Sequence, residues 1–95
     1  MLQYHVAYHL PKAVQGFVVA EVLDFPGVFS QGFDLPDARQ MIASALEEVA
    51  QLYLEQGRAL PVPREPQEGM EADLIERMPL SIEVSALRRD RKSVV

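Results

Sequence analysis

Apolar and polar residues alternate with a period of two at the start of the chain. Residues 2–10 place their large apolar side chains on one face and His5, Ala7 and His9 on the other. This period predicts a half-buried strand. Residues 17–25 are apolar on both faces and rich in Val, which predicts a more central strand. The short connection between the two segments predicts a hairpin.

A sharp corner follows the second predicted strand. Pro26 and Gly27 form a strong turn dipeptide, because proline fixes φ and glycine tolerates a positive φ. A short third strand is predicted over residues 28–31, and Gly32 is expected to end it. Asp34 then occupies the position expected for the N-cap of a helix.

One amphipathic helix is predicted at about residues 35–56. Pro36 suits the first turn of a helix, and Asp37 is favoured near the positive end of the helix dipole. Gly57 is the glycine expected just after the last turn. Apolar residues recur at spacings of three and four and predict the buried face. These residues are Ala38, Met41, Ile42, Ala45, Leu46, Val49, Leu52 and Tyr53.

The rest of the chain contains one more predicted strand. Closely spaced prolines in residues 60–66 predict an extended segment, and residues 64–73 predict a polar loop. Alternation over residues 80–87 predicts the last strand, and residues 88–95 form a charged tail. The order β-β-β-α-β predicts an α+β two-layer sandwich, in which a helix covers an antiparallel meander and the last strand re-enters the sheet. We predict one domain over residues 1–87.

Composition narrows the classes of function. A 95-residue chain with a net charge of −5 favours a basic protein partner over nucleic acid. The absence of cysteine excludes disulfides, thiolate metal sites and a thiol nucleophile, and it fits a reducing cytoplasm. No segment approaches the roughly 20 apolar residues of a membrane span, and the N-terminal residues do not match a signal peptide. We therefore expect a cytoplasmic protein whose small core favours a homo-oligomer.

No group of residues in the sequence predicts a catalytic or metal site. His5 and His9 share a strand face, but positions four residues apart on a strand are roughly 13 Å apart, too far for one metal ion. Magnesium-dependent nuclease chemistry needs clustered carboxylates. The first strand carries none, and Asp24 stands alone after the second strand. We therefore expect a protein that is not an enzyme and uses neither cofactor nor metal.

The segment GFVVAEVLDFPGVFSQGFDLPDARQMIASALEEVAQLYLEQGRALPVP resembles the HicB-like antitoxin domain. The resemblance rests on an ordered set of features: a hydrophobic-Pro-Gly turn, a short strand with a Ser-x-Gly end, a capped amphipathic helix and a Pro-x-Pro segment. It covers roughly residues 2–63. The matching residues are Phe25, Pro26, Gly27, Ser30, Gln31, Gly32, Ala38, Ala45, Glu48, Pro61 and Pro63.

The resemblance implies a partial ribonuclease-H-like fold with the sheet order 3-2-1-4. It also implies a bacterial toxin–antitoxin system, in which the domain assembles as a dimer or tetramer and neutralises HicA, a small basic mRNA-cleaving toxin. Many family members continue into a ribbon-helix-helix or helix-turn-helix segment that binds DNA. The tail of this chain is too short for either module, so DNA binding is not expected. The alternative is a stand-alone homo-oligomeric regulatory module with no toxin partner.

Two groups of residues are candidates for contact with a partner. Phenylalanines surround the Pro-Gly corner, and an exposed phenylalanine on an edge strand needs cover from the helix or from a partner. Acidic residues lie on the polar side of the predicted helix, where they either steer a basic partner or face solvent. The candidate contact residues are Phe25, Phe29, Phe33, Glu47, Glu48 and Glu55.

Two further groups have simple structural interpretations. Turn and cap chemistry accounts for the corner residues without a partner. The basic tail predicts either a disordered end or the remnant of a DNA-contacting extension. The corner residues are Pro26, Gly27, Gly32 and Asp34, and the basic residues of the tail are Arg88, Arg89, Arg91 and Lys92.

Overall fold

The computed structural model describes residues 2–12 and 16–81. The elements in these ranges are β1 (Gln3–His9), β2 (Val18–Val22), β3 (Phe29–Gly32), α1 (Leu35–Glu55) and β4 (Leu74–Pro79). The strands form an antiparallel sheet in the order β3-β2-β1-β4, and α1 packs on one face of it. The predicted α+β sandwich and its strand order are therefore confirmed. Within the described ranges, no helix is both long and apolar enough to cross a membrane.

The fourth strand lies earlier in the chain than predicted. The alternation over residues 80–87 predicts the last strand, whereas β4 spans Leu74–Pro79 and pairs along its length with β1. Charged residues in the middle of this segment, Glu76 and Arg77, hide its strand character in the sequence. Strand formation here depends on pairing with a distant segment, which local propensity does not encode. Residues 82–87 of the predicted strand lie outside the described residues.

The third strand includes Gly32, which was expected to end it. Gly32 is the last residue of β3 and pairs with Val18. A Cβ on Gly32 would lie 2.8 Å from the Cα of Ala38, so the first turn of α1 packs directly against this glycine. Gly32 is therefore required for a close approach of strand and helix.

The corner between β2 and β3 forms as predicted. Gly27 has a φ of 85°, the left-handed region that glycine adopts without strain. The N–H of Val22 donates to the carbonyl of Val28 at 3.0 Å, which closes the turn around Pro26 and Gly27. The chain therefore reverses direction within a few residues and brings β3 alongside β2.

Both ends of α1 carry the predicted caps. The carboxylate of Asp34 accepts a hydrogen bond from the N–H of Asp37, whose own carboxylate accepts from the N–H of Phe33, each at 2.9 Å. At the other end, Gly57 has a φ of 70°. The N–H groups of Gly57 and Arg58 donate to carbonyls of the last turn at 3.1 and 2.8 Å. This pattern is a Schellman motif, which satisfies carbonyls at the helix end.

The core lies between α1 and the sheet face that carries the apolar side chains of β1. Phe25 belongs to this core, because its ring centroid lies 5.3 Å from that of Tyr4 and 5.0 Å from that of Tyr53. The prediction of Phe25 as a contact residue is wrong, since its side chain is 0% exposed. The fully or almost fully buried large side chains are Tyr4, Val6, Tyr8, Phe25, Val28, Ile42 and Leu46.

The buried stripe of α1 is narrower than the sequence predicts. Ile42 and Leu46 are buried at its centre, but Met41 and Leu52 are 47% and 49% exposed. These two residues lie about 80–100° around the helix axis from Ile42. The sheet contacts the central arc of the helix, so Met41 and Leu52 remain on its flank.

Candidate functional site

The sheet face opposite α1 is covered by no helix or second sheet among the described residues, and the segment 63–65 lies beside only its His5 end. Strand register places alternate residues of all four strands on this open face. Its largest exposed apolar residues cluster towards β3 and β2, where Phe29 lies opposite Glu21 and the rings of Phe17 and Phe33 are 5.5 Å apart. Exposed apolar clusters of this kind are typical of interaction sites. We call Phe17, Val19, Phe29 and Phe33 the open-face patch.

Two of the three predicted phenylalanines are exposed on the open face. Phe29 is 62% exposed on β3, which is an edge strand, and Phe33 is 80% exposed just after it. The ring of Phe17 packs against that of Phe33, although no sequence pattern predicts Phe17 as a contact residue. The sequence does contain an indication of this position. Phe17 lies two residues before Val19 and four before Glu21, and alternate residues of an extended segment share a face.

The three glutamates predicted to contact a partner lie exposed on α1, away from the sheet. None of Glu47, Glu48 and Glu55 forms an ion pair with any residue in the described ranges. Glu48 and Glu55 are seven residues apart and therefore share one side of the helix. We call these three residues the acidic helix face. It lies in the opposite layer from the open-face patch, so the two surfaces are separate.

A polar cluster that the sequence did not predict joins β1, the corner and the proline-rich segment. The carboxylate of Asp24 accepts hydrogen bonds from the backbone N–H of His5 at 2.8 Å and from that of Arg64 at 3.1 Å. Nδ1 of His5 lies 2.9 Å from the same carboxylate. The side chains of His5 and Asp24 are only 10% and 3% exposed. Asp24 therefore does not stand alone, as the sequence suggested, but organises a buried junction.

A cleft of about 320 Å³ opens beside this junction. Arg77 of β4 lies opposite His5 in the β1–β4 register, so both residues face the cleft from neighbouring strands. The segment 63–65 forms the other wall. The lining residues are Gln3, His5, Pro63, Arg64, Glu65 and Arg77.

A second polar contact ties α1 to β4. The guanidinium group of Arg39 donates two hydrogen bonds to the carboxylate of Glu76, at 3.0 and 2.7 Å. This bidentate pairing lowers the pKa of Glu76, and partial burial of the carboxylate opposes that shift. The hydroxyl of Tyr8 is buried beside the pair, and burial followed by the charge of Glu76 raises its pKa to about 12. The Arg39–Glu76 pair therefore stabilises the position of the edge strand β4 relative to α1.

The histidines of β1 each have their own carboxylate neighbour. Nε2 of His9 lies 3.3 Å from Glu21, and His5 contacts Asp24. Across the described ranges, no group of three or more His, Asp or Glu residues is arranged to hold a metal ion. The sites that the described residues offer are therefore exposed surfaces and shallow clefts, one of which lies beside His5. A scan against protein-family models found no match to this chain, and neither did a search of curated proteins.

Proposed function

We propose that this chain is a non-enzymatic protein-binding domain that acts as a HicB-like antitoxin in the bacterial cytoplasm. It would bind and neutralise a small basic mRNA-cleaving toxin of the HicA type. The observation that carries this proposal is the acidic helix face. Its carboxylates are exposed, lack basic partners among the described residues and suit a basic protein.

The position of Glu55, the last of these glutamates, argues that local helix stability did not select it. The negative end of a helix dipole favours cations, yet the last turn of α1 holds no basic residue and ends at Glu55. Each unfavourable charge near a helix end costs about 0.3–1 kcal/mol when exposed. A basic partner would remove this cost by pairing with the carboxylates, which supports a binding role for the face.

The second candidate is a stand-alone homo-oligomeric regulatory module, and the open-face patch favours it. β3 is an edge strand, and its outer backbone groups have no strand partner in the described part of the chain. Two copies of β3 related by a two-fold axis would pair antiparallel, and an axis that passes beside Phe29 would bring the two Phe29 side chains together. Such pairing would satisfy the strand edge and cover the phenylalanines. An oligomeric antitoxin would use both surfaces, because they lie in opposite layers.

Co-expression tests the antitoxin proposal directly. The chain is co-expressed with a small basic ribonuclease encoded beside it, and growth rescue and co-purification are measured. We expect the wild-type chain to rescue growth and the triple variant Glu47→Gln, Glu48→Gln, Glu55→Gln to lose rescue. The matched control is Glu65→Gln, Glu68→Gln, Glu71→Gln, which changes the net charge equally but lies outside α1.

Comparison of the two triple variants distinguishes a specific contact at the acidic helix face from a general effect of net charge. Equal loss of rescue in both would show that the net negative charge matters and that the acidic helix face is not the contact. A wild-type chain that neither binds nor rescues would overturn the antitoxin proposal. The homo-oligomeric module would then be the better account of the open-face patch.

A further inference from the structure

The cleft beside His5 holds an unusual excess of positive charge for an acidic chain. Arg64 and Arg77 line it, and neither forms an ion pair with a residue in the ranges 2–12 and 16–81. Glu65 is the one acidic residue among the lining residues. The carboxylate of Asp24 is already occupied by three polar contacts to His5 and Arg64. The charged residues that line the cleft are therefore two arginines and one glutamate, besides the buried His5.

The imidazole of His5 is oriented so that one nitrogen remains for a ligand. The carboxylate of Asp24 can only accept hydrogen bonds when ionised, so Nδ1 carries the proton of that contact. Nε2 then remains for the cleft, because the ring is a lining residue and its other nitrogen is engaged. Burial of Asp24 and the ring fixes this orientation before any ligand arrives.

The wall that carries Arg64 is also fixed in place. The N–H of Arg64 donates to Asp24, and the carbonyl of Pro61 accepts a hydrogen bond from the hydroxyl of Tyr4 at 2.6 Å. Pro61, Pro63 and Pro66 restrict the backbone on both sides. On the opposite wall, Arg77 stands on a paired strand. A site with rigid walls loses less entropy when it binds a ligand.

We propose that this cleft binds a phosphate group, either as the free anion or as a monoester. The two guanidinium groups and the side-chain amide of Gln3 together have more N–H donors than a carboxylate ligand, with two oxygens, can accept. A tetrahedral phosphate has enough oxygens to accept a hydrogen bond from each of these three groups. Nε2 of His5 forms a hydrogen bond with one phosphate oxygen. With Nδ1 protonated, Nε2 accepts this bond from a protonated phosphate oxygen when the ring is neutral, and donates it when the ring is charged. This site lies apart from the acidic helix face and does not rest on the antitoxin proposal.

Phosphate titration of the full chain, followed by NMR, tests the site. The nitrogen signals of the His5 ring and of the arginine side chains are recorded as inorganic phosphate is added, with ionic strength held constant by sodium chloride. We expect saturable shifts at His5, Arg64 and Arg77, and weaker effects from acetate. Arg77→Gln should weaken phosphate binding about tenfold or more, because it removes a charge-assisted contact. Lys12→Gln is the matched control, because it removes one positive charge outside the cleft.

The outcomes separate a site from general electrostatics. Equal weakening in Arg77→Gln and Lys12→Gln, or the absence of saturable shifts at His5 up to tens of millimolar phosphate, would overturn the proposal. Circular dichroism of each variant shows that the fold is intact, and Arg64→Gln provides a second test of the same cleft.

A nucleoside monophosphate that binds much more tightly than inorganic phosphate would identify an esterified ligand, whereas equal affinity would identify the free anion. Either of those two results supports the site.

Discussion

Gly32 is the residue at which β3 and the first turn of α1 approach each other closely. Its φ is not positive, so its role differs from that of Gly27 at the corner. The backbone of Asp37 and Ala38 occupies the space where a Cβ would stand. Backbone atoms cannot move aside as a flexible side chain can, so any larger residue would force β3 and α1 apart.

We expect Gly32→Ala to destabilise the protein by about 3 kcal/mol or more, at the upper end of the cost of overpacking. Gly27→Ala is the matched control, because it introduces the same methyl group where no atom lies within 4 Å. That control should cost about 1–2 kcal/mol through its positive φ alone. Urea denaturation measures both values. A Gly32→Ala variant no less stable than Gly27→Ala would contradict the proposed close approach.

Tyr8 makes a pH-dependent contribution to stability. Burial and the charge of Glu76 raise its pKa from 10.0 to about 12, so the folded state binds this proton more tightly than the unfolded state. Stability from Tyr8 is therefore complete below pH 10.0 and falls as the pH rises towards about 12. We expect the free energy of unfolding of the wild type to fall more steeply over this range than that of Tyr8→Phe.

Tyr8→Phe should be close to neutral in stability at neutral pH. The hydroxyl of Tyr8 is buried and has no hydrogen bond of standard geometry to a described residue, so its removal leaves no new unpaired group on the ring. Parallel slopes for wild type and variant in alkaline solution, measured by urea denaturation, would show that Tyr8 does not titrate differently in the two states.

At the scale of elements, α1 could be predicted from the sequence and β4 could not. The signals for α1 are local, since Asp34, Gly57 and the apolar period all lie within or beside the helix. β4 becomes a strand because β1 offers it a partner about 70 residues away, and no local pattern records that pairing. The exposure of the flank of α1 could not be predicted either, because the sequence does not show how much of the helix circumference the sheet covers.

The same distinction applies to the candidate sites. The acidic helix face follows from the helical period, so the sequence identifies its three glutamates. The cleft depends on contacts between Asp24 and residues 19 and 40 positions away in the sequence, His5 and Arg64. No spacing motif connects such positions, so only the fold brings them together.

The two faces of α1 give a direct test of its packing. Leu46 is buried against the sheet, whereas Leu52 is about half exposed. Leu46→Ala should cost about 2–5 kcal/mol through lost burial and a residual cavity. Leu52→Ala removes the same atoms from the same helix, so intrinsic helix propensity changes equally, and it should cost less than about 1 kcal/mol. Similar losses for both variants in chemical denaturation would mean that the helix packs on a different face.

At the scale of the whole molecule, one helix covers one face of a four-stranded sheet, and apolar side chains on the other face are exposed in the described part of the chain. The outer side of α1 is acidic, and the open-face patch is apolar. An acidic surface suits a basic partner through steering, and an apolar surface suits burial against another apolar surface. Under the proposed function, toxin contact would belong to the helix layer and self-association to the sheet layer.

Phe29→Asp tests that division. The substitution places a charge at the β3 end of the open-face patch, where self-association would bury it without a partner, so we expect an oligomer formed through this patch to dissociate to monomers. Val62→Asp is the matched control, because Val62 is also exposed but lies in the proline-rich segment. Solution mass, measured by light scattering, should fall for Phe29→Asp and remain unchanged for Val62→Asp. A monomeric wild type, or an assembly that survives Phe29→Asp, would remove the patch from this role.

If toxin contact belongs to the helix layer, the dissociated Phe29→Asp variant should still rescue growth, whereas loss of rescue would place the toxin on the sheet.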